Sequence, residues 1–546
     1  MVYYCVLEYN QTMESLTSKK EEIRTRFAPS PTGFLQLGNL RTALFAYLFA
    51  KKNNGVFILR IEDTDKERSE PEYEKAILET LKWTGLLWDE GPEVDGVYGP
   101  YRQSEKLDVY EKYLKQLLSE DKAFYCFCSE EELETYRQYR LSQGQSAAYS
   151  GKCREITLSQ AEQKLSRGEK AIIRFKNTIV QPIIFNDIIR GKTEFDPHLI
   201  GDFSIARDLR SPLYNFSCVI DDFDMKITHV IRGEDHISNT PKQIMLQKAF
   251  GFPSPEYAHL PMILASDRSK LSKRHGAVST LAYRDEGYLP EALINFLVLL
   301  GWHPEDDREI FTIKGLVKEF SLERVQKSGA IFNQQRLDWL NGFYLRNLSL
   351  ENLTKKCLPF LIQSGLIKVF EESIPAQLIP AAIEESWQKR EYEIASTKEI
   401  VGFDYLEKIV SLYQQRLKKL SEIIELTDFF FKEKINFSVD LLKWKEMTNE
   451  EVRGSLEVLE KVLGGISPEN WQKENLENIL LAEAEKIRPK VQQADFGVKD
   501  RGDRGYLLWP LRVALSGKQF SAGPFEIADI LGKDKTIKRI QQAIKI

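Results

Sequence analysis

The sequence predicts an α/β domain split by an α+β insertion and followed by a mainly α-helical C-terminal region. Three observations carry this. Strand-length apolar runs alternate with helix-period segments from Ile23 to Ile61, and again from Tyr214. Between about Tyr110 and Asp202 the alternation gives way to charged helices, β-like runs and a cysteine cluster. From about Leu345 to Ile546 helix-period segments dominate, separated by turns such as Gly464-Gly465 and Ser467-Pro468. A chain of 546 residues has room for about three or four domains at roughly 150 residues each.

Residues 1–22 are expected to be a flexible extension. Arg24–Phe27 reads as a short strand, and Pro29, Pro31 and Gly33 then forbid regular structure. Leu40–Ala50 follows with apolar residues at helical spacing. A turn that opens a helix presents free backbone N–H groups and the positive end of the helix dipole, which suits an anionic ligand such as phosphate. Val56–Ile61 is a second strand, completing a βαβ unit, and it feeds directly into Glu62-Asp-Thr-Asp65. Carboxylates therefore sit at the carboxyl end of a parallel strand, where open α/β sheets place ligands. The insertion reads as a helix through Leu118, a charged helix around Glu130–Gln143, and β-like runs at Ala171–Phe175 and Gln181–Ile184. The α/β pattern returns with Tyr214–Ile220, Ile227–Ile231 and a helix opened by Asn239-Thr-Pro-Lys, in which Thr240 can cap and Pro241 takes the first helical position. No internal repeat of fixed period and no low-complexity tract is present.

The net charge of −5 excludes a protein that coats polyanions generally, so any nucleic-acid surface must be a local patch. Six cysteines, three of them clustered, argue against a secreted disulfide framework in so long a chain. Met1–Lys20 lacks a basic start and its apolar run is cut by Glu8 and Asn10, a poor signal peptide. The longest apolar run, Ala292–Trp302, contains Asn295 and is too short to span a bilayer. A cytoplasmic protein without a membrane partner is expected.

Two segments carry chemistry. Pro29–Asn39 resembles the first signature of class I aminoacyl-tRNA synthetases, usually written HIGH, and Lys270-Leu-Ser-Lys-Arg274 resembles the second, written KMSKS. Alone, the first is an ordinary Pro-rich turn and the second a solvated basic loop; in this order inside a split α/β pattern they reinforce each other. The surrounding residues, including Asn333-Gln-Gln-Arg-Leu-Asp-Trp-Leu-Asn-Gly-Phe-Tyr344 and Gly523-Pro-Phe-Glu526, narrow the resemblance to bacterial-type glutamyl-tRNA synthetase. It implies a Rossmann-type catalytic domain in two halves, 23–109 and 203–265, divided by an acceptor-binding insertion at 110–202. A KMSKS-type loop and stem-contact region at 266–345 and a helical anticodon-binding region at 346–546, in two subdomains, would follow. The implied activity is ATP- and Mg²⁺-dependent formation of glutamyl-adenylate and transfer of L-glutamate to the 3′ end of tRNA(Glu), by a monomer.

By the same resemblance, Lys270 and Lys273 would stabilise the charge that develops on the phosphates, with Gln36, Gly38, Asn39 and His236 also facing ATP. Arg26, Ala28 and Ser30 would face glutamate, Glu62 its ammonium, and Tyr214 and Arg232 its side chain; Cys218 stands where some relatives have a pocket asparagine. These types suit the substrate without the family: two carboxylates want arginines, and one ammonium wants an acid. Gln36 departs from the pattern by replacing the first histidine of the signature. Its amide donates a hydrogen bond to phosphate but cannot become cationic, which predicts slower activation.

Cys126, Cys128 and Cys153 are soft ligands crowded into one short stretch, which argues for a metal over buried inert thiols. With Tyr149 they have the spacing of the structural Zn²⁺ site of some bacterial relatives. Of six histidines, only His236 falls in a family-like run; His198, His229, His259, His275 and His303 are read as structural. Basic clusters at Lys486–Lys490, Lys499–Arg504 and Lys533–Arg539 suit tRNA phosphates, with Tyr506 and Trp509 nearby for unstacked bases. Two alternatives stay open: an enzyme that also charges tRNA(Gln), and, given Gln36, a non-catalytic tRNA-binding paralogue. Lys270, Ser272, Lys273 and the arginines weigh against the second.

Overall fold

The structure, a computed structural model, describes residues 22–271, 279–370, 387–388, 390–486 and 503–545. It divides into two compact units: a first that runs to Arg284 and takes in Pro290–Leu337, and a second built from Asp285–Leu289 and the chain from Asp338 onward. The divide falls inside the helix Gln334–Arg346.

The first unit is organised by a six-stranded sheet. In chain order its strands are β1 (Arg24–Phe27), β2 (Val56–Leu59), β5 (Ile183–Asp187), β6 (Gly191–Phe195), β8 (His229–Gly233) and β9 (Glu256–Leu260). They lie in the order β2-β1-β8-β9-β5-β6. All neighbours are parallel except the β5–β6 hairpin. β1 therefore has its sequence neighbour β2 on one side and β8, reached much later, on the other. That reversal is the point at which open α/β sheets form a crevice beyond the carboxyl ends of their strands. The hairpin at 183–195, which the sequence reading left inside the insertion, extends this sheet through the Asp187–Tyr257 pairing. A separate antiparallel sheet in the insertion joins β3 (Ala123–Cys126), β4 (Ile172–Phe175) and β7 (Ser204–Ala206).

β1 is buried along its whole length although two of its four residues are arginines. Each is neutralised from a distance: Arg24 makes two 2.9 Å bonds to Glu90, and Arg26 meets Asp222. The turn into β2 requires Gly55, because a Cβ there would lie 2.1 Å from the Ile23 carbonyl oxygen. Helix Leu37–Lys52 starts three residues before the expected Leu40, with Gln36 extended at its N-cap (φ −96°, ψ 161°). The helix is apolar on nearly every face, burying Leu40, Ala43, Leu44, Phe45, Ala46 and Leu48. It can be so because it packs on the sheet on one side and on helices Pro290–Leu299 and Ile313–Glu319 on the other. Tyr214–Ile220 belongs to the helix Tyr214–Asp224, and β2 ends at Leu59 rather than Ile61.

The second unit is mainly helical, with Asn449–Gly464, Gly505–Ser516 and Pro524–Ile544 packed together. It also holds a three-stranded antiparallel sheet, Ile367–Val369, Glu391–Ile394 and Ile400–Gly402, which the sequence reading did not anticipate. Strands of three or four residues are too short for a two-residue period to stand out. Among the described residues no helix is long and apolar enough to cross a membrane.

Candidate active site

Beyond the carboxyl ends of β1, β8 and β9 lies a cleft of about 710 Å³. Its walls come from the turn after β1 (Ala28, Pro29, Ser30), the first turn of helix Leu37–Lys52, the turn after β8 (Glu234, Asp235, His236) and the segment after β9 that leads to Lys270.

At one end is the helix N-terminus. Gln36, Leu37, Gly38 and Asn39 all line the cleft, and the first turn carries no acidic residue. The Gln36 side chain makes no capping bond, so its amide is available to a ligand. Opposite, the backbone folds back on itself through Ala265 N–H to Ser269 O (2.8 Å) and Leu271 N–H to Ile263 O (3.0 Å). This brings Lys270 to the cleft, where its ammonium lies 3.3 Å from Asp235. Lys273 lies outside the described residues.

Behind Arg26 and Glu62, which line the cleft, runs a buried charge network. Arg26 donates through Nε to Asp222 (3.1 Å), and Arg60 donates to Asp222 (2.6 Å) and Glu62 (3.0 Å). Lys106 pairs with Asp221 at 2.7 Å. Three buried cations thus face three buried anions, and each alone would be costly to bury. Burial opposes ionisation of Asp222, but the two guanidiniums outweigh it and hold its pKa down to about 2. Glu62 shifts the other way: burial raises its pKa, and Arg60 only partly offsets this. The amide of Glu62 donates to Pro29 O (2.9 Å), which sets its carboxylate beside the Ala28–Ser30 turn. Cys218 does not reach the wall. It is fully buried behind the arginines, 3.5 Å from Arg60 Nη2 and 3.6 Å from Asp222, and burial pushes its thiol pKa up to about 12. Of the residues expected at the glutamate end, Cys218 is the one that does not line the cleft.

The third part is a polar chain on β8 and the helix that follows. Arg232 donates to Tyr214 OH (3.3 Å), Thr240 Oγ1 (2.7 Å) and His259 Nε2 (3.1 Å). His236 Nδ1 lies 3.1 Å from Tyr214 OH, and burial, then the charge of Arg232, lowers its pKa to about 4, so it is neutral near pH 7.

Away from the cleft, Cys126, Cys128 and Cys153 converge, with all three sulfurs within 4.8 Å of one another. Tyr149 OH lies 3.4 Å from Cys126 Sγ and 3.5 Å from Cys128 Sγ, and the sulfurs of Cys128 and Cys153 are 3.7 Å apart. Three sulfurs and a phenol oxygen thus converge on one point, a donor set with the chemistry to hold a metal ion.

Two family models match the chain: tRNA synthetases class I (E and Q), catalytic domain, over residues 22–339, and an anticodon binding domain over 376–544. A glutamate–tRNA ligase of Caldicellulosiruptor saccharolyticus is 44% identical over 524 residues, covering 95% of this chain and 98% of that protein. One from Carboxydothermus hydrogenoformans is 43% identical over 518 residues, covering 95% and 99%. The chain belongs to the glutamate–tRNA ligase family of class I synthetases. Its fold agrees with a crystal structure of a glutamate tRNA ligase from Elizabethkingia meningosepticum in complex with its amino acid, at a TM-score of 0.77, 32% identity and 96% and 99% coverage of the two chains.

The cleft gathers Arg26, Ala28, Ser30, Gln36, Gly38, Asn39, Glu62, Tyr214, Arg232, His236 and Lys270 from the sequence reading. Arg60, Asp222 and Asp187 are absent from that reading, and His259 is read there as structural. Arg60 had a visible signal, a charge inside the apolar run Ile58–Ile61, as did the Asp221-Asp222 pair directly after the apolar run Cys218–Ile220. In the second unit the Lys533–Arg539 run is engaged internally. Arg539 is buried on the carbonyls of Leu515, Phe429 and Lys432, and Lys533 binds those of Gly464 and Ile466. The other two basic clusters lie largely outside the described residues; Lys486 pairs with Glu483 and Arg504 with Glu485.

Proposed function

We propose that the cleft holds ATP and L-glutamate side by side, and that the enzyme forms glutamyl-adenylate and passes the glutamyl group to the 3′ end of tRNA(Glu). One observation carries this reading. A single cleft is lined both by a helix N-terminus and a lysine and by a carboxylate flanked by arginines. In the first step a glutamate α-carboxylate oxygen bonds to the α-phosphorus as the bond to the β-phosphate oxygen breaks, and pyrophosphate leaves with the electron pair. Such a step is accelerated chiefly by positioning and by positive charge where the leaving group gathers negative charge.

Glu62 receives the ammonium, because a carboxylate whose pKa is raised by burial gains most from a new cationic partner. Arg26, held by Asp222, and the Ala28–Ser30 turn align the α-carboxylate, and Arg232 with Tyr214 takes the side-chain carboxylate. Gln36 and the amides of Gly38 and Asn39 face the phosphates. Lys270, with Lys273 by family position, neutralises them, and Mg²⁺ arrives with ATP. In the second step a terminal ribose hydroxyl of the tRNA displaces AMP from the carbonyl carbon. Cys126, Cys128, Tyr149 and Cys153 would hold a structural Zn²⁺ that braces β3 within the acceptor-binding insertion. The work belongs in the cytoplasm, where tRNA is used; the described cysteines are all free thiols.

Aminoacylation with labelled glutamate, run separately on tRNA(Glu) and tRNA(Gln), tests the proposal. Charging of tRNA(Glu) is expected, and the second arm measures discrimination. Retained tRNA binding without charging would refute the enzymatic reading.

A further inference from the structure

His259 and Asp187 lie behind the cleft wall, both almost completely buried, and neither lines the cleft. Asp187 ends β5 and caps the turn after it: its Oδ1 accepts the N–H groups of Ile189 (2.9 Å) and Arg190 (2.8 Å). Its Oδ2 accepts the backbone N–H of His259 (3.1 Å) and lies 2.6 Å from His259 Nδ1. A carboxylate at that distance only accepts, so Nδ1 carries the proton and Nε2 is left as an acceptor. Nε2 faces Arg232 Nε at 3.1 Å, a group that only donates. Burial, with the charges of Arg232 and Arg190, outweighs Asp187 and lowers the pKa of His259, which keeps the imidazole neutral.

The consequence falls on Arg232. Of its five N–H groups, Nε–H goes to His259, one on Nη1 to Tyr214 and one on Nη2 to Thr240. Among the described residues one N–H is left over on each terminal nitrogen, enough to serve the two oxygens of a carboxylate. We propose that Asp187 and His259 are positioning residues that select substrate: the Asp187 carboxylate locks the His259 tautomer, which anchors Arg232 with its remaining N–H fork turned toward the glutamate side chain. This rests on the reading of Arg232 as the side-chain site. It gives the β5–β6 hairpin, spliced to the edge of the sheet, a task in amino-acid recognition.

Asp187→Asn tests the tautomer itself. The amide oxygen would stay on the Ile189 and Arg190 amides, placing its NH₂ on Nδ1. The proton would then move to Nε2 and oppose the Arg232 Nε–H. His259→Leu removes the acceptor, whereas His259→Gln keeps one at the height of Nε2. In aminoacylation assays, Asp187→Asn and His259→Leu are expected to raise KM for glutamate about tenfold, the scale of one lost bond to a charged group. kcat and KM for ATP should stay within about twofold, and His259→Gln should restore KM for glutamate to within about threefold. The proposal is overturned if His259→Gln behaves like His259→Leu, if KM for glutamate is unmoved in both, or if kcat and both KM values deteriorate together. Arg232→Lys run alongside separates the layers. If it leaves KM for glutamate unchanged, the side-chain site reading has failed; if it raises that KM while Asp187→Asn and His259→Leu do not, only the positioning role has failed.

Discussion

Gln36 is the residue at which this cleft departs from its family's signature, and its geometry sharpens the consequence. Its backbone is extended at the N-cap and its side chain makes no capping bond, so substitution should leave the helix intact. Gln36→His is expected to increase the ATP–pyrophosphate exchange rate, measured with tRNA present, by several-fold. A protonated imidazole forms a charge-assisted bond to phosphate that is about twice as strong as an amide's. An unchanged or lower rate would show that the amide is already sufficient. His236 makes a second prediction. Its folded pKa of about 4 lies below the ordinary value near 6.5, so as pH falls from about 6.5 to 4 the unfolded chain takes up a proton that the folded chain refuses. Stability is fully present above about pH 6.5 and is lost across that window. His236→Asn lacks this linkage, so the stability gap between wild type and variant should shift by about 2–3 kcal/mol in the variant's favour between pH 7 and pH 4. Parallel urea-unfolding profiles across those pH values would contradict it.

Elements decide how these residues meet. β1 and β8 end side by side, so that a Pro-rich turn and the Glu234–His236 turn face one cleft. Local pattern reveals each turn but not their adjacency, because the two strands are joined by a pairing and not by a loop. The cysteine cluster is the converse case: three thiols close in sequence also converge in space, which is why the cluster was legible. Elemental analysis should find one zinc per chain. Cys153→Ser should lose it and make the insertion more sensitive to limited proteolysis, since metal binding in such a site is coupled to local folding. An intact insertion with no bound zinc would refute that role. The basic run Lys533–Arg539 divides for a physical reason: Arg539 and Lys533 turn to internal carbonyls, while Lys538 stays exposed. Arginine and lysine also cap buried carbonyls, and sequence does not distinguish a guanidinium turned inward, as in Arg539, from one turned to phosphate.

At the scale of the whole molecule, the chain divides into a unit built on the six-stranded sheet and a mainly helical unit that also claims Asp285–Leu289. Gly287, in that short stretch, has φ +90° and accepts Leu420 N–H at 3.1 Å; a Cβ would lie 2.6 Å from that nitrogen. Gly287→Ala is therefore expected to destabilise the second unit by about 2 kcal/mol or more, read as an earlier unfolding transition. An unchanged midpoint would show that the backbone there yields freely.

The primary structure was enough to establish the α/β class, the split by an insertion, the helical C-terminal region and the two signatures. Each of these is written in contiguous residues whose backbone preferences and chemistry act locally. Folding added the partners of the buried charges. Arg26 finds Asp222 across 196 positions and His259 finds Asp187 across 72, and no periodicity encodes such pairs. Electrostatics in a buried cleft is settled by distance in space, which is why the type of Arg232 was readable in advance but the partners that hold it were not.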